Sequence, residues 1–337
     1  MFGQSGGRVD PTSQRLSVIS LSIRQQALAL SDANTVLKQK GRSFYWARQL
    51  LNSEHAARAT RLYSLCRYLD DLADEATSVT VAQAALNDVK LAVISRQTSH
   101  LVVQDGLLLI DECGIDPQVV CQLIDGVSSD LQPVAICDLD ELLRYCYQVA
   151  GTVGLMMCSV LGVKNAAAMP YAVDLGIAMQ LTNICRDVQA DALVNRRYLP
   201  ASMVGGLPAA ALVNPAAEIQ PQLTAALRQL LDVADRYYRS GELGLCYLPA
   251  GARIGILTAS RIYRDIGVCL ARRQHQFWLG RVVVSPARKV AVTAKLLLGA
   301  SVTPSLWRPT RAHDSAMHGA FSAMLAADGL GNPAHDH

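Results

Sequence analysis

The chain has 337 residues, 51% of them hydrophobic and only 18% charged, with a formal net charge of +3. That balance excludes a disordered chain and points to a large buried interior or an apolar cavity. The charge is small and no basic stripe is interleaved with aromatics, so nucleic acid is not expected as a partner. Taken in chain order, residues 1–20 read as a flexible N-terminus. Residues 21–303 follow as a single all-α domain, and the Ala-, Asp-, Gly- and His-rich stretch 304–337 reads as a disordered tail. Helical apolar spacing recurs at 25–61, 61–77, 79–98, 102–113, 117–129, 138–162, 166–190, 221–241 and 252–277. Pro and Gly cluster between these stretches, as in Leu199-Pro200 and Gly205-Gly206-Leu207-Pro208. Val282-Val283-Val284 is the best strand candidate, but its flanks, Arg281 and Ser285-Pro286, suit a connection between helices. An all-α bundle around a central space follows. His313, His318, His335 and His337 lie at mixed spacing in the tail and receive no role.

The nine cysteines are odd in number and lack any C-x-x-C spacing, which suits a reduced, cytoplasmic protein. Residues 1–14 hold no apolar core of signal-peptide length, so no export is expected. Runs such as Leu107 to Ile110 fall far short of the roughly 20 residues that span a bilayer, so the chain is not expected to be an integral membrane protein.

Two aspartate pairs carry the chemistry. Asp70 with Asp74, and Asp187 with Asp191, each have i,i+4 spacing, which on a helix sets both carboxylates on one face. Acids at that spacing are commonly a solvated face. Here both pairs are bordered by Leu65, Leu69, Leu72, Leu181 and Ile184, so a lined cavity is the better reading. Like charges held this close require a cation or a basic side chain. Gln180, Asn183, Asp187 and Asp191 continue one oxygen-bearing stripe, a natural cradle for Mg²⁺, which takes oxygen ligands and shares itself with substrate phosphate.

Over residues 38–285 the motifs resemble those of the squalene and phytoene synthase family, the head-to-head branch of the class I isoprenoid synthases. The resemblance is carried by Arg42-Ser43-Phe44-Tyr45, by Leu62-Tyr63 with Cys66-Arg67, and by the Asp70 to Asp74 motif. It extends through Tyr145 to Gly154, Gln180 to Asp191, and Arg196-Arg197-Tyr198-Leu199-Pro200. It implies the class I helical bundle around a central cavity. It also implies Mg²⁺, or Mn²⁺ in its place, held by Asp70 and Asp74 from one wall and by Asp187, Asp191 and Asn183 from the other. Arg67, Arg186 and Arg196 would grip diphosphate oxygens, for which a planar guanidinium is well shaped. Val194-Asn195-Arg196-Arg197 departs from the usual Arg-Gly-Arg-Ile, so Arg197 is an alternative to Arg196. Ser43 and Gln180 would join the substrate site. Tyr63, Tyr145 and Tyr263 would lie near the diphosphates and the reacting carbons, and core packing is the other reading of the three.

The reaction so implied is a prenyl transfer joining two geranylgeranyl diphosphates through prephytoene diphosphate to 15-cis-phytoene, the first committed step of carotenoid biosynthesis. The Tyr145 and Gln180 segments are nearer to members that finish by proton loss, so no NADPH is expected. The alternative within the family is a C30 dehydrosqualene or hydroxysqualene synthase using farnesyl diphosphate. A silent helical protein of shared ancestry would be expected to lose the aspartates. Val153, Leu155, Met156, Met157 and Leu181 are candidate cavity walls, and Gly151 and Gly154 leave room either for substrate or for a close helix crossing. Peripheral membrane contact is expected for release of an oily product, with Arg272, Arg273, Arg281 and Arg288 contributing.

Overall fold

The computed structural model describes residues 33–39, 41–299 and 303–329. The readings for 1–20, His335 and His337 lie outside the described residues. The expected all-α architecture is what folds. Residues 33–39 are helical, and the helices that follow are α1 (Arg42–Arg48), α2 (Ser53–Asp74), α3 (Val79–Ser95), α4 (Leu101–Cys113), α5 (Pro117–Ser129), α6 (Leu139–Cys146) and α7 (Thr152–Val160). They continue with α8 (Met169–Leu193), α9 (Ala201–Val204), α10 (Ala210–Val213), α11 (Gln220–Leu243), α12 (Ala250–Arg272), α13 (Pro286–Gly299) and α14 (Ser322–Ala327). Among the described residues strand pairing is limited to β1 (Val134–Ala135) and β2 (Arg196–Arg197), which run parallel with Val134 opposite Arg196.

Two stretches expected as single helices are interrupted. The 25–61 stretch breaks between α1 and α2, where the Asn52 side chain accepts from the His55 backbone N–H at 2.8 Å and so starts a new helix. The 138–162 stretch carries a π-turn at Tyr147–Gly151 between α6 and α7, a local widening that re-aims side chains and is frequent at functional sites.

Helix α8 is the hub, packing along α11 and against α7 and α12. Glycines let the helices approach. A Cβ on Gly154 would overlap the Ala172 carbonyl, and one on Gly176 would overlap the Ala150 carbonyl. The close-crossing reading therefore accounts for Gly154. Leu62, Leu69, Leu86, Ile110, Leu181 and Leu227 are essentially inaccessible in one continuous core. Losing any one of them to Ala would cost about 2–5 kcal/mol.

The expectation of disorder from 304 onward is corrected for residues 304–329. This segment packs on the helices, burying Leu306, Phe321 and Leu325. Phe321 stacks on Tyr147 with centroids 5.0 Å apart. The hydroxyls of Tyr171 and Tyr237 donate to the Arg311 and Met317 carbonyls at 2.9 and 2.7 Å. Asp328 accepts from the Tyr147 hydroxyl and, at 2.7 Å, from Gln122. Sparse apolar residues made the tail look unstructured, whereas it is held mainly by polar contacts to partners distant in sequence.

Candidate active site

Both acidic motifs sit at the C-terminal ends of long helices, Asp70, Asp71 and Asp74 closing α2 and Asp187 and Asp191 closing α8. The negative end of a helix dipole disfavours carboxylates there by about 0.3–1 kcal/mol each. The arrangement is compensated by arginines and open to a cation. On the α2 side Arg67 pairs with Asp71, and Asp74 takes Nη1 of Arg196 at 2.9 Å. Asp70 has no ion-pair partner among the described residues. Its carboxylate opens onto the recess but is ringed by protein, and that burial, opposed by Arg67 and reinforced by the like charges of Asp74 and Asp71, pushes its pKa up to about 7. On the α8 side Asp187 receives Arg186 and, at 2.8 Å, Nε of Arg281. Burial alone would raise Asp187, but the two guanidiniums hold it below the usual carboxylate range. Asp191 is pushed up to about 7 by burial and by Asp187.

The two motifs meet at groups the sequence did not single out. Asp130, just beyond α5, accepts from Tyr198 at 2.7 Å and Tyr145 at 2.8 Å, while its backbone carbonyl accepts from Nε of Arg196 at 3.2 Å. Its charge acts on both Asp70 and Asp191. Alternation along β2 separates its two arginines. Arg196 faces Asp74, whereas Arg197 is buried and donates to the carbonyls of Leu199 and, at 2.8 Å, Ile136. Arg196 is thus the arginine turned toward the acidic site. Asn195, at φ 59°, makes the turn that sets this register.

Beneath the acids lies a cavity of about 310 Å³. Asp70, Tyr63, Gln180, Asn183 and Tyr263 line its polar end, and Leu51, Leu161, Ala168, Leu245 and Leu248 its apolar end. Phe44 bridges the tyrosines, 6.0 Å from Tyr63 and 5.1 Å from Tyr263. Burial pushes both tyrosines up to about 12, so their hydroxyls stay protonated and able to donate at neutral pH. Asn183 reaches Gln180 at 3.4 Å and keeps a buried Oδ1 without a partner, as Arg67 does its Nε. An unpaired amide oxygen beside unpaired carboxylates is a donor set suited to a hard cation.

Of the candidate walls, Val153 and Met157 line the cavity, while Leu155, Met156 and Leu181 belong to the core. Tyr145 and Ser43 are outside the lining, Tyr145 being tied to Asp130 and Ser43 half-buried on α1. Arg281, Arg288 and Arg273 are engaged within the protein, on Asp187, Asp265 and the Gly280 carbonyl. Neither Asp130 nor Arg281 carries a spacing signal, since their partners lie far away in sequence.

The squalene/phytoene synthase profile matches residues 37–288. The chain belongs to that family. A 15-cis-phytoene synthase of Pantoea ananas is 33% identical over 289 residues, covering 81% of this chain and 91% of that protein. One from Enterobacter agglomerans is 32% identical over 289 residues, covering 79% of this chain and 97% of its own length. Among solved structures, a dehydrosqualene synthase with bound ligand superposes with a TM-score of 0.74 at 26% identity, covering 83% of this chain and 99% of that one. Family membership makes the chain a prenyltransferase, and its helices are those of the isoprenoid synthase fold. Among the described residues no helix is long and apolar enough to cross a membrane.

Proposed function

We propose that this protein is a 15-cis-phytoene synthase, condensing two geranylgeranyl diphosphates head to head with release of two diphosphates and final loss of a proton. The observation that carries this reading is the match, over nearly their whole lengths, to bacterial enzymes of that name. The site supports it chemically, because two carboxylate walls stand at the mouth of an apolar cavity.

In this reading Asp70, Asp74, Asn183, Asp187 and Asp191 hold Mg²⁺. The bound ions supply positive charge that lets the diphosphate leave. Arg67, Arg186, Arg196 and Arg281 donate to its oxygens, exchanging carboxylate partners for phosphate. The hydroxyls of Tyr63 and Tyr263 donate at the polar end. Gln180 orients the head group beside Asn183, and Val153 and Met157 keep water from the allylic cation. Tyr145 acts through Asp130 and Arg196. Release of the hydrocarbon involves peripheral membrane contact, tested by flotation with anionic liposomes, and absence of binding at low salt would remove that part.

The dehydrosqualene synthase likeness favours a second reading, a C30 product from farnesyl diphosphate. Incubation with Mg²⁺ and either substrate, with and without NADPH, followed by mass analysis, separates the two. A C40 hydrocarbon formed without NADPH is expected, and a C30 product from farnesyl diphosphate alone would overturn the assignment.

A further inference from the structure

We propose that Asp174, His313 and His318 bind one zinc ion that fastens the carboxy-terminal segment to α8. The Asp174 side chain is wholly inaccessible, and its two oxygens face Nε2 of His318 at 2.7 Å and Nε2 of His313 at 2.8 Å. The three ligand atoms lie within 4.8 Å of one another. Two imidazoles and a carboxylate form a donor set that suits zinc and leaves one position for water, and the His-x₄-His spacing falls within the range of known zinc sites.

The site is separate from the catalytic carboxylates. Asp174 precedes Asp187 by thirteen positions on one helix, about 20 Å at 1.5 Å per residue. Its donors include nitrogen, so it discriminates against Mg²⁺, which the acidic mouth suits. Aromatic rings close around the site. The His313 and His318 rings lie 4.5 Å apart, the edge of Tyr171 meets His313 at 5.2 Å, and Phe321 covers His318 at 4.9 Å. A tetrahedral ion with bonds of about 2.0–2.2 Å sets its ligands about 3.4 Å apart, so it enters by a small outward shift of two imidazoles that sit on a surface segment. Each imidazole then carries its proton on Nδ1 and offers Nε2 to the metal. The zinc replaces the two hydrogen bonds with three coordinate bonds, one to each imidazole and one to the carboxylate, and any proton held on Nε2 leaves as the metal enters.

Full-length protein stripped by a chelator and returned to excess Mg²⁺ is dialysed against micromolar Zn²⁺, and zinc per chain is measured. Wild type is expected to retain one equivalent more than the His313→Gln/His318→Gln variant, and its Tm to rise by about 5 °C or more on zinc addition. Equal zinc in the two proteins, or none in wild type, overturns the proposal. Should the double variant fail to fold, Co²⁺ added to wild type in excess Mg²⁺ decides. Intense visible bands of a tetrahedral ion, abolished by one equivalent of Zn²⁺, support the site, and their absence overturns it.

Discussion

The two carboxylate walls are built alike and charged differently. Each ends a long helix, and each has one aspartate whose pKa is pushed up to about 7, the arginine-bound members being Asp71 and Asp74 on one wall and Asp187 on the other. They differ in strength. Asp187 holds two guanidiniums and stays firmly ionised, so the α8 wall sets Arg186 and Arg281 against Asp187 and Asp191, whereas on the α2 wall three acids, Asp70, Asp71 and Asp74, face two arginines, Arg67 and Arg196. The α8 wall is therefore a preformed anion with its counter-ions in place. The α2 wall is under-neutralised and has the greater electrostatic need of a cation. A cluster of like charges kept together at helix C-termini costs stability in the free protein. The site retains that cost because it is removed on metal binding.

The largest test breaks either wall outright. Asp70→Ala and Asp187→Ala should each reduce turnover to below about one hundredth of wild type, since neither wall alone can neutralise the leaving group. Circular dichroism should show both variants folded. Next in size is the contrast between the two arginines of β2. Arg196→Gln should lower kcat/KM by about 10–100-fold with little change in Tm. Arg197→Gln should do the reverse, because it strips two buried carbonyls of their donor. Smaller, and sharper as a test of the asymmetry, are two substitutions assayed for stability without metal. Asp187→Asn leaves Arg186 short of its partner and should lower Tm by several degrees. Asp191→Asn relieves repulsion and should raise it.

Much of this was legible in the sequence. Helix α8 was expected at 166–190 and runs Met169–Leu193, and α11 was expected at 221–241 and runs Gln220–Leu243. In both, apolar periodicity and a Pro in the first turn mark the same physical stripe and start. The aspartates were visible for the same reason, since i,i+4 spacing is a local property. The rest depends on contacts far apart in sequence. Asp130 matters only because the β1–β2 bridge brings Arg196 beside it, and whether Arg196 or Arg197 faces the acids is decided by strand alternation in a pairing two residues long. Helix α13 carries no clear apolar stripe, since Val290, Leu297 and Leu298 are exposed and blur any buried face. The carboxy-terminal segment, read as disordered, is held by hydrogen bonds and two histidines on one buried carboxylate, and composition does not report those.

The smallest effect is a pH dependence whose sign separates the free from the metal-bound site. Asp70 and Asp191 titrate near 7 in the folded chain and near the ordinary 3.9 when unfolded. Between those values the native state binds more protons than the unfolded one, so stability must fall as pH rises. The contribution is fully present below about pH 4 and is gone once pH has passed through about 7. Asp187, held low by its arginines, contributes in the opposite sense at acid pH, losing its stabilisation as pH falls through its depressed folded value. Thermal melts of metal-free protein from pH 5.5 to 8.5 should therefore show Tm declining across neutrality. Saturating Mg²⁺ should flatten or reverse the slope, because the metal binds only the ionised carboxylates and its affinity rises as their protons leave. In Asp191→Asn the metal-free decline should be shallower by the share that Asp191 carries. A slope unchanged in that variant would mean that Asp191 is not one of the groups titrating near 7, and would remove the asymmetry on the α8 wall.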